Sequence, residues 1–379
     1  MSNIATLTAQ IGLEWDTRTG AVTVPIYQTA TFRHPGLGQS TGYDYSRSGN
    51  PTRQVLEDAI ARLEGGARGF AYASGMAAIT NLLYLFSPGD HLIVTEDLYG
   101  GTYRLFEKVF GQYGLSFSYV DTTDIAAVQD AIRPETRALF VESLTNPLLK
   151  VADIASLSAL CRQNGMLCIV DNTFLTPYLM RPFELGADIT VYSASKYLAG
   201  HNDTVAGLVA VKDPELAERV YFHQNSVGAV LGPQDSWLTI RGMKTLAVRL
   251  ERQEANAHVI ARWLKDHPGV AKVHYPGLAE HPGHAVLARQ ARGFGAMVAF
   301  EVADPSLVER LLVKTSLISF AESLGGVETL ITFPEVQTHA DIEPEIRRRL
   351  GINNVLLRLS VGIEDAADLI ADLDQAFNE

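Results

Sequence analysis

Leu167-Cys168-Ile169-Val170-Asp171 and, further on, Ile189-Thr190-Val191-Tyr192-Ser193-Ala194-Ser195-Lys196 decide the fold. Each opens as a short apolar, β-branched run of strand length and closes on a side chain with chemistry to offer. His91-Leu92-Ile93-Val94 and Ala138-Leu139-Phe140-Val141 repeat the pattern upstream. Helical patterns stand between, such as Asp153 to Asn164, closed by Gly165 as a C-cap glycine closes a helix. Alternating βα units from residue 66 to 212 predict an α/β architecture: a mainly parallel sheet with helices on both faces. Ligands gather at the carboxyl ends of such strands. Glu142, Asp171 and Lys196 all follow apolar runs, which is where chemistry is expected.

Gly228-Ala229-Val230-Leu231-Gly232-Pro233 breaks this pattern. Beyond it a long helix carries Leu246, Leu250, Ala257, Ile260 and Leu264 on one face. Strands follow at Ala296-Met297-Val298-Ala299-Phe300 and Val355-Leu356-Leu357-Arg358-Leu359, then a final helix from Glu364. The organisation expected is an N-terminal arm (1–45), a large ligand-binding domain (46–232) and a smaller α+β C-terminal domain (233–379). The arm shows no clear core pattern and is expected to pack on a neighbouring subunit.

A net charge of −12 argues against a nucleic-acid or anionic-membrane surface. Met1-Ser2-Asn3-Ile4-Ala5-Thr6 lacks the basic and apolar regions of a secretory leader, and no apolar run approaches a membrane span. Two cysteines, Cys161 and Cys168, give no disulfide framework and read as core fillers, which fits a cytoplasmic protein. Glu280-His281-Pro282-Gly283-His284 offers two imidazoles but no third ligand, so no metal site is expected.

Lys196 stands 25 residues beyond Asp171. A lysine preceded by hydroxyls can bond an aldehyde while Ser193 and Ser195 hold a phosphate. A carboxylate at a strand end can keep a pyridine nitrogen protonated. Together they describe a site for pyridoxal 5′-phosphate (PLP), in which the cofactor is the electron sink and the protein supplies orientation and charge. Ser74-Gly75-Met76 opens a helix after an apolar run, and helix N-termini bind phosphate, although a plain serine cap explains it too. Tyr45 and Arg47, two apart before Asn50-Pro51-Thr52, suit a phosphate or a surface ion pair. Tyr99 could stack on a flat ring or be an ordinary half-buried tyrosine; Asn146 could face a ring hydroxyl. Arg358, in the apolar strand Leu356-Leu357-Arg358-Leu359-Ser360-Val361, must meet an anion, either an internal carboxylate or that of a substrate.

Tyr45-Ser46-Arg47, Asn50-Pro51-Thr52, Ser74-Gly75-Met76, Tyr99-Gly100, Asn146-Pro147, Asp171-Asn172-Thr173, Ser193-x-Ser195-Lys196, Ser323-Leu324-Gly325-Gly326 and Arg358 occur jointly. In this the chain resembles, over nearly its whole length, the fold type I PLP enzymes of cysteine and methionine metabolism, the trans-sulfuration family. The resemblance implies a large domain with a seven-stranded sheet and a smaller C-terminal domain. It makes Lys196 the lysine that bonds the cofactor aldehyde and Asp171 the partner of the ring nitrogen. Tyr99 stacks on the ring, and Asn146 contacts its hydroxyl side. Gly75 and Met76 amides with the Ser193 and Ser195 hydroxyls hold the phosphate. Tyr45 and Arg47 reach the cofactor of an adjacent subunit, so the active unit is a homo-oligomer, at least a dimer and usually a tetramer. Arg358 and Ser323 hold a substrate α-carboxylate. Three departures are mild: Ser195 for the commoner threonine, Tyr192 where histidine is frequent, and Leu144 for a usual proline.

Within the family, Glu322 resembles the glutamate of γ-acting members, while Asp44 and Gly101-Thr102-Tyr103-Arg104-Leu105-Phe106 resemble γ-synthases. Thr102 stands where methionine γ-lyases tend to carry cysteine. The expectation is γ-replacement on an O-acyl-homoserine by cysteine or sulfide, in methionine biosynthesis. The alternative is elimination from cystathionine by a γ- or β-lyase, and a non-catalytic scaffold is disfavoured by the presence of both Lys196 and Asp171.

Overall fold

The computed structural model describes residues 3–340 and 342–378; Met1, Ser2, Asp341 and Glu379 lie outside the described residues, and with them the ends of the expected arm and small domain. Seven strands form one sheet: β1 (Arg68–Tyr72), β2 (His91–Thr95), β3 (Ser116–Val120), β4 (Thr136–Glu142), β5 (Leu167–Asp171), β6 (Ile189–Ser193) and β7 (Gly207–Val211). Their order is β1-β7-β6-β5-β4-β2-β3. All are parallel but β7, which runs antiparallel to both its neighbours. Every residue of β2 and β7 is buried, as a sheet covered on both faces requires.

The reversal of β7 has a local cause. Instead of a crossover helix, the chain leaving β6 makes a tight run of turns at Ala194–Ala199 and comes straight back, which only an antiparallel return permits. Lys196 sits in that run, held at the carboxyl edge of the sheet. On the other side, the chain leaves β2 outward to β3 and returns to β4. The crevice between β2 and β4 is therefore a switch point at the same edge.

A second sheet has the order β10-β11-β12-β9-β8, comprising β8 (Val270–His274), β9 (Met297–Val302), β10 (Ser319–Phe320), β11 (Leu330–Thr332) and β12 (Leu356–Ser360). Only the β10–β11 pair is parallel. Helix Leu246–Asp266 buries Leu246, Leu250, Ala257, Ile260 and Leu264, the face expected from their spacing.

Near the N-terminus the chain departs from expectation. Helix α1 (Ile4–Ala9) buries Ile4 and Thr8, and Ile11 and Val24 join the core. Ile4, Thr8 and Ile11 fall at helical i, i+4, i+7 spacing, but one of the three is a threonine and the run is barely two turns long, so the apolar signal is faint. Helix α2 spans Pro51–Glu64. Asn50 accepts from the N–H groups of Thr52 and Arg53 as its N-cap, and Pro51 takes the first position, where a missing N–H costs nothing. Among the described residues no helix is long and apolar enough to cross a membrane.

Candidate active site

The strand ends converge on a cavity of about 620 Å³. Of the residues singled out in the sequence, Gly75, Met76, Tyr99, Asn146, Asp171, Ser193, Ser195, Lys196, Glu322, Ser323 and Arg358 all line it. Tyr45 and Arg47 do not. Both are exposed, and the Arg47 guanidinium donates to the Asn225 backbone carbonyl at 2.6 Å.

Lys196 Nζ donates to Ser323 Oγ at 2.8 Å. Burial, then the nearby Arg358 charge, pushes its pKa down to about 8 against the pull of Glu322. The amine is thereby far easier to deprotonate than an ordinary lysine, though still mostly protonated at neutral pH. The turn that carries it is fixed from behind by buried Arg249, a residue the sequence reading missed. Its guanidinium donates to Tyr197 O at 2.8 Å and Gly242 O at 2.9 Å. Gly200, at φ +72°, passes so close to that guanidinium that any Cβ would collide with it.

Asp171 closes β5. Its Oδ1 accepts from Thr173 N–H at 3.0 Å and from the Thr173 hydroxyl at 2.6 Å. Thr173 Oγ1 in turn accepts from Ser193 N–H at 2.9 Å, which ties the aspartate to the strand bearing the lysine turn. Burial raises the Asp171 carboxyl to about 6 although the Thr173 bonds oppose it. Glu142 lies across from it in register. Burial first, then the like charge of Asp171, pushes Glu142 well above the carboxylate range. Its oxygens accept from Tyr99 N–H at 3.0 Å and Asn146 N–H at 3.1 Å, so one carboxyl group seats two of the lining residues.

Helix α3 (Gly75–Leu83) points its N-terminus at the cavity. Ser74 Oγ accepts from Ala77 N–H at 3.0 Å, leaving the first amides of the helix without an intrahelical acceptor. A Cβ on Gly75 would lie 3.0 Å from Ser193 Cβ, and one on Gly207 would lie 2.1 Å from Ser74 O. The loop therefore lies flush against β6 and β7. The Tyr99 ring lies over Gly101, where a Cβ would come within 2.4 Å of Cε1. Ser195 is differently engaged from expectation. Its hydroxyl accepts from Ala206 N–H at 2.9 Å and donates to Ala206 O at 3.3 Å, so it must redirect its proton to meet a phosphate.

The second sheet supplies the opposite wall. Ser323 holds a left-handed φ of +94°, a strained value for a residue with a side chain, and thereby offers its Oγ to Lys196 and its carbonyl to Arg358. Arg358 is 1 % exposed. It donates to Asn146 Oδ1 at 2.6 Å, Ser323 O at 3.2 Å and Thr332 Oγ1 at 3.2 Å, and its Nε is buried without a partner. All three acceptors are neutral. The internal carboxylate that the sequence left open is thus not among its hydrogen-bond partners, and two of its five N–H groups, one on Nη1 and the buried one on Nε, have no protein acceptor. Burial holds its pKa down to about 10, still charged at neutral pH. Asn146 was expected to contact a ring hydroxyl; with its oxygen bonded to Arg358, only its amide N–H groups remain for that contact.

Two further residues went unnoticed in the sequence. Arg53, 2 % exposed, donates to the carbonyls of Ser46 at 2.7 Å and Arg47 at 3.1 Å and so braces the Tyr45–Arg47 segment. Thr338 lines the cavity and adjoins His339, whose ring is fully buried. Neither stands in a periodic or capping pattern. Among the described residues no group of three His, Cys, Asp or Glu side chains could hold a metal ion; His281 and His284 bond to nearby backbone instead.

The sequence profile of the Cys/Met metabolism PLP-dependent enzymes matches residues 5–378. The chain belongs to that family. The cystathionine β-lyase of Lactococcus lactis subsp. cremoris (strain MG1363) is 51 % identical over 379 residues, covering 100 % of both chains. The cystathionine γ-synthase/O-acetylhomoserine (thiol)-lyase of Bacillus subtilis (strain 168) is 51 % identical over 374 residues, 99 % of this chain and 96 % of its own. The crystal structure of cystathionine γ-lyase from Lactobacillus plantarum complexed with L-serine superposes with a TM-score of 0.97 at 46 % identity, covering 100 % of this chain and 99 % of that one. The protein is a fold type I PLP enzyme, and its pocket fits the cofactor. Ser74–Met76 is a flush helix start without spare volume for a Cβ, Asp171 is a half-buried, desolvated acid short of a cationic partner, and Lys196 is a desolvated amine.

Proposed function

We propose that this enzyme cleaves a carbon–sulfur bond of cystathionine or a related thioether amino acid by elimination. The observation that carries the reading is that one residue, Ser323, bonds both functional ends of the pocket: Lys196 Nζ at 2.8 Å and Arg358 Nη2 at 3.2 Å. An α-amino acid carries its amine and its carboxylate on one carbon and matches that pairing. Full-length likeness to the L. lactis β-lyase and to the L. plantarum γ-lyase supports elimination. It moves the reading from γ-replacement, which the sequence alone favoured, to lyase chemistry.

Bound PLP supplies an electron sink for the charge left at Cα when its proton departs. Lys196 would bond the cofactor aldehyde, Asp171 would favour the protonated ring nitrogen, and Tyr99 would cover one ring face. The α3 amides, with Ser193 and Ser195, would hold the phosphate. Arg358 binds the substrate α-carboxylate, with Ser323 beside it, and so orients Cα–H toward Lys196. Lys196 Nζ, whose pKa is lowered to about 8, takes that proton in its neutral form and delivers one to the departing sulfur or the product. Tyr45 and Arg47 lie outside their own chain's pocket and are exposed, which supports a homo-oligomer in which they reach the cofactor of a second copy.

A second reading, γ-replacement on an O-acyl-homoserine, is favoured by Glu322 and Thr102 on the cavity wall and by likeness to the B. subtilis γ-synthase. Product analysis separates them. Holoenzyme with cystathionine should yield either pyruvate, homocysteine and ammonia or 2-oxobutyrate, cysteine and ammonia. Negligible cleavage alongside cystathionine made from O-acetylhomoserine and cysteine would reverse the order of the two readings.

A further inference from the structure

The His339 ring is fully buried and lies on the segment between β11 and helix Pro344–Leu350. Its Nε2 is 2.8 Å from the Asn146 carbonyl oxygen and its Nδ1 is 2.8 Å from Thr338 Oγ1. A carbonyl can only accept, so Nε2 carries the proton and Nδ1 accepts from the threonine hydroxyl. Burial, with the Arg358 charge next in weight, drives the imidazole down to about 3, consistent with a neutral ring in that one tautomer. The segment is pressed hard against the large domain: a Cβ on Gly100 would meet Thr338 O at 2.5 Å. Beyond Asn146 the contacts continue without a gap. Asn146 Oδ1 accepts from Arg358, Arg358 donates to Ser323 O, and Ser323 Oγ accepts from Lys196.

We propose that His339 is a positioning residue for substrate binding. By clamping the Asn146 backbone it fixes the side chain that aims Arg358, and with Thr338 it seats the small-domain segment as one wall of the pocket. The inference rests on the reading of the pocket as a PLP and amino-acid site, because its readout is the affinity for an α-carboxylate. It differs from a packing role in what it moves. A packing residue would lower cofactor content, kcat and stability together, whereas this clamp acts on KM.

The test uses the purified holoenzyme with cystathionine and three variants. His339→Gln can place an amide N–H near the Nε2 position; His339→Asn is too short to do so; His339→Ala removes the donor. The expected result is that His339→Ala and His339→Asn retain wild-type PLP content and visible absorbance. Their KM should rise on the order of tenfold, the worth of one buried hydrogen bond, with kcat within about threefold. His339→Gln should recover most of the affinity. Should His339→Ala not fold, the Gln and Asn pair alone decides. The inference is overturned if KM stays within twofold of wild type, if Gln and Asn behave alike, or if cofactor content falls in step with turnover. A wild-type holoenzyme that cleaves or forms no thioether amino acid overturns the functional reading itself, and the inference with it.

Discussion

Replacing Arg358 should remove most of the preference for substrates that carry an α-carboxylate. The guanidinium spends three N–H groups on Asn146, Ser323 and Thr332, and two are left without a protein acceptor for a carboxylate to engage. Hydrogen bonds to a charged partner contribute about 1.5–3 kcal/mol each, so two together are worth about 3–6 kcal/mol. At about 1.4 kcal/mol per factor of ten, Arg358→Ala should lower kcat/KM for cystathionine by about 10²–10⁴. Arg358→Lys keeps the charge without the planar fork and should fall at the mild end of that range. Steady-state kinetics are run with cystathionine and with an analogue whose α-carboxylate is replaced by hydrogen, on protein whose cofactor content and melting temperature are checked first. Truncation also strands the buried Asn146 oxygen, and the analogue separates that structural cost from the lost anchor. On the analogue Arg358→Ala should cost only that structural part, well below the loss on cystathionine. Equal losses on both compounds, or retention of more than a tenth of wild-type kcat/KM on cystathionine, would refute the anchor.

Two more predictions concern the ionisable groups of the pocket. Uptake of PLP by the cofactor-free protein requires the neutral amine, so its rate should climb about tenfold per pH unit below about 8 and level off above it. Arg358 lowers the Lys196 pKa and Glu322 raises it, so Arg358→Ala should move that midpoint up and Glu322→Gln should move it down, read by stopped-flow absorbance. Asp171, raised from 3.8 to about 6, binds its proton more tightly folded than unfolded. Its contribution is neutral below about pH 4. Stability is lost as pH rises from 4 to 6, and the full cost of the buried charge is present above 6. Asp171→Asn should therefore raise the melting temperature of the cofactor-free protein at pH 8 and leave it unchanged at pH 4. It should also weaken the stabilisation that added PLP gives the wild type, measured by the same thermal scans. An unchanged melting temperature at pH 8 would remove Asp171 as the desolvated acid.

Much of the large domain was legible because its signals are local. Strand length and β-branching mark β4, β5 and β6, Asn50 and Pro51 cap α2, and the residue after a buried parallel strand falls at the carboxyl edge wherever that strand lies. For the same reason Asp171 and Lys196 could be paired from 25 residues of chain. The reversal of β7 was not visible, since strand composition carries no direction. Nor was the packing of Ile4, Ile11 and Val24, where one short amphipathic turn with a threonine on its buried face and one distant valine give too few apolar positions to read.

The sequence by itself determined the alternation of elements, the lysine and aspartate proposed as the cofactor's partners, and the cost of leaving Arg358 unpaired. Only the tertiary structure decided its surroundings, by giving Arg358 of the second sheet three neutral acceptors and bringing it, with Ser323 of the β10–β11 loop, to a lysine at the edge of the first. It also revealed the braces that no motif announces: Arg249 behind the lysine turn, Arg53 behind the exposed segment and His339 against Asn146. Periodicity and capping are written in neighbouring residues. Desolvation and the choice of hydrogen-bond partner are set by whatever chain folds alongside, here more than a hundred residues away.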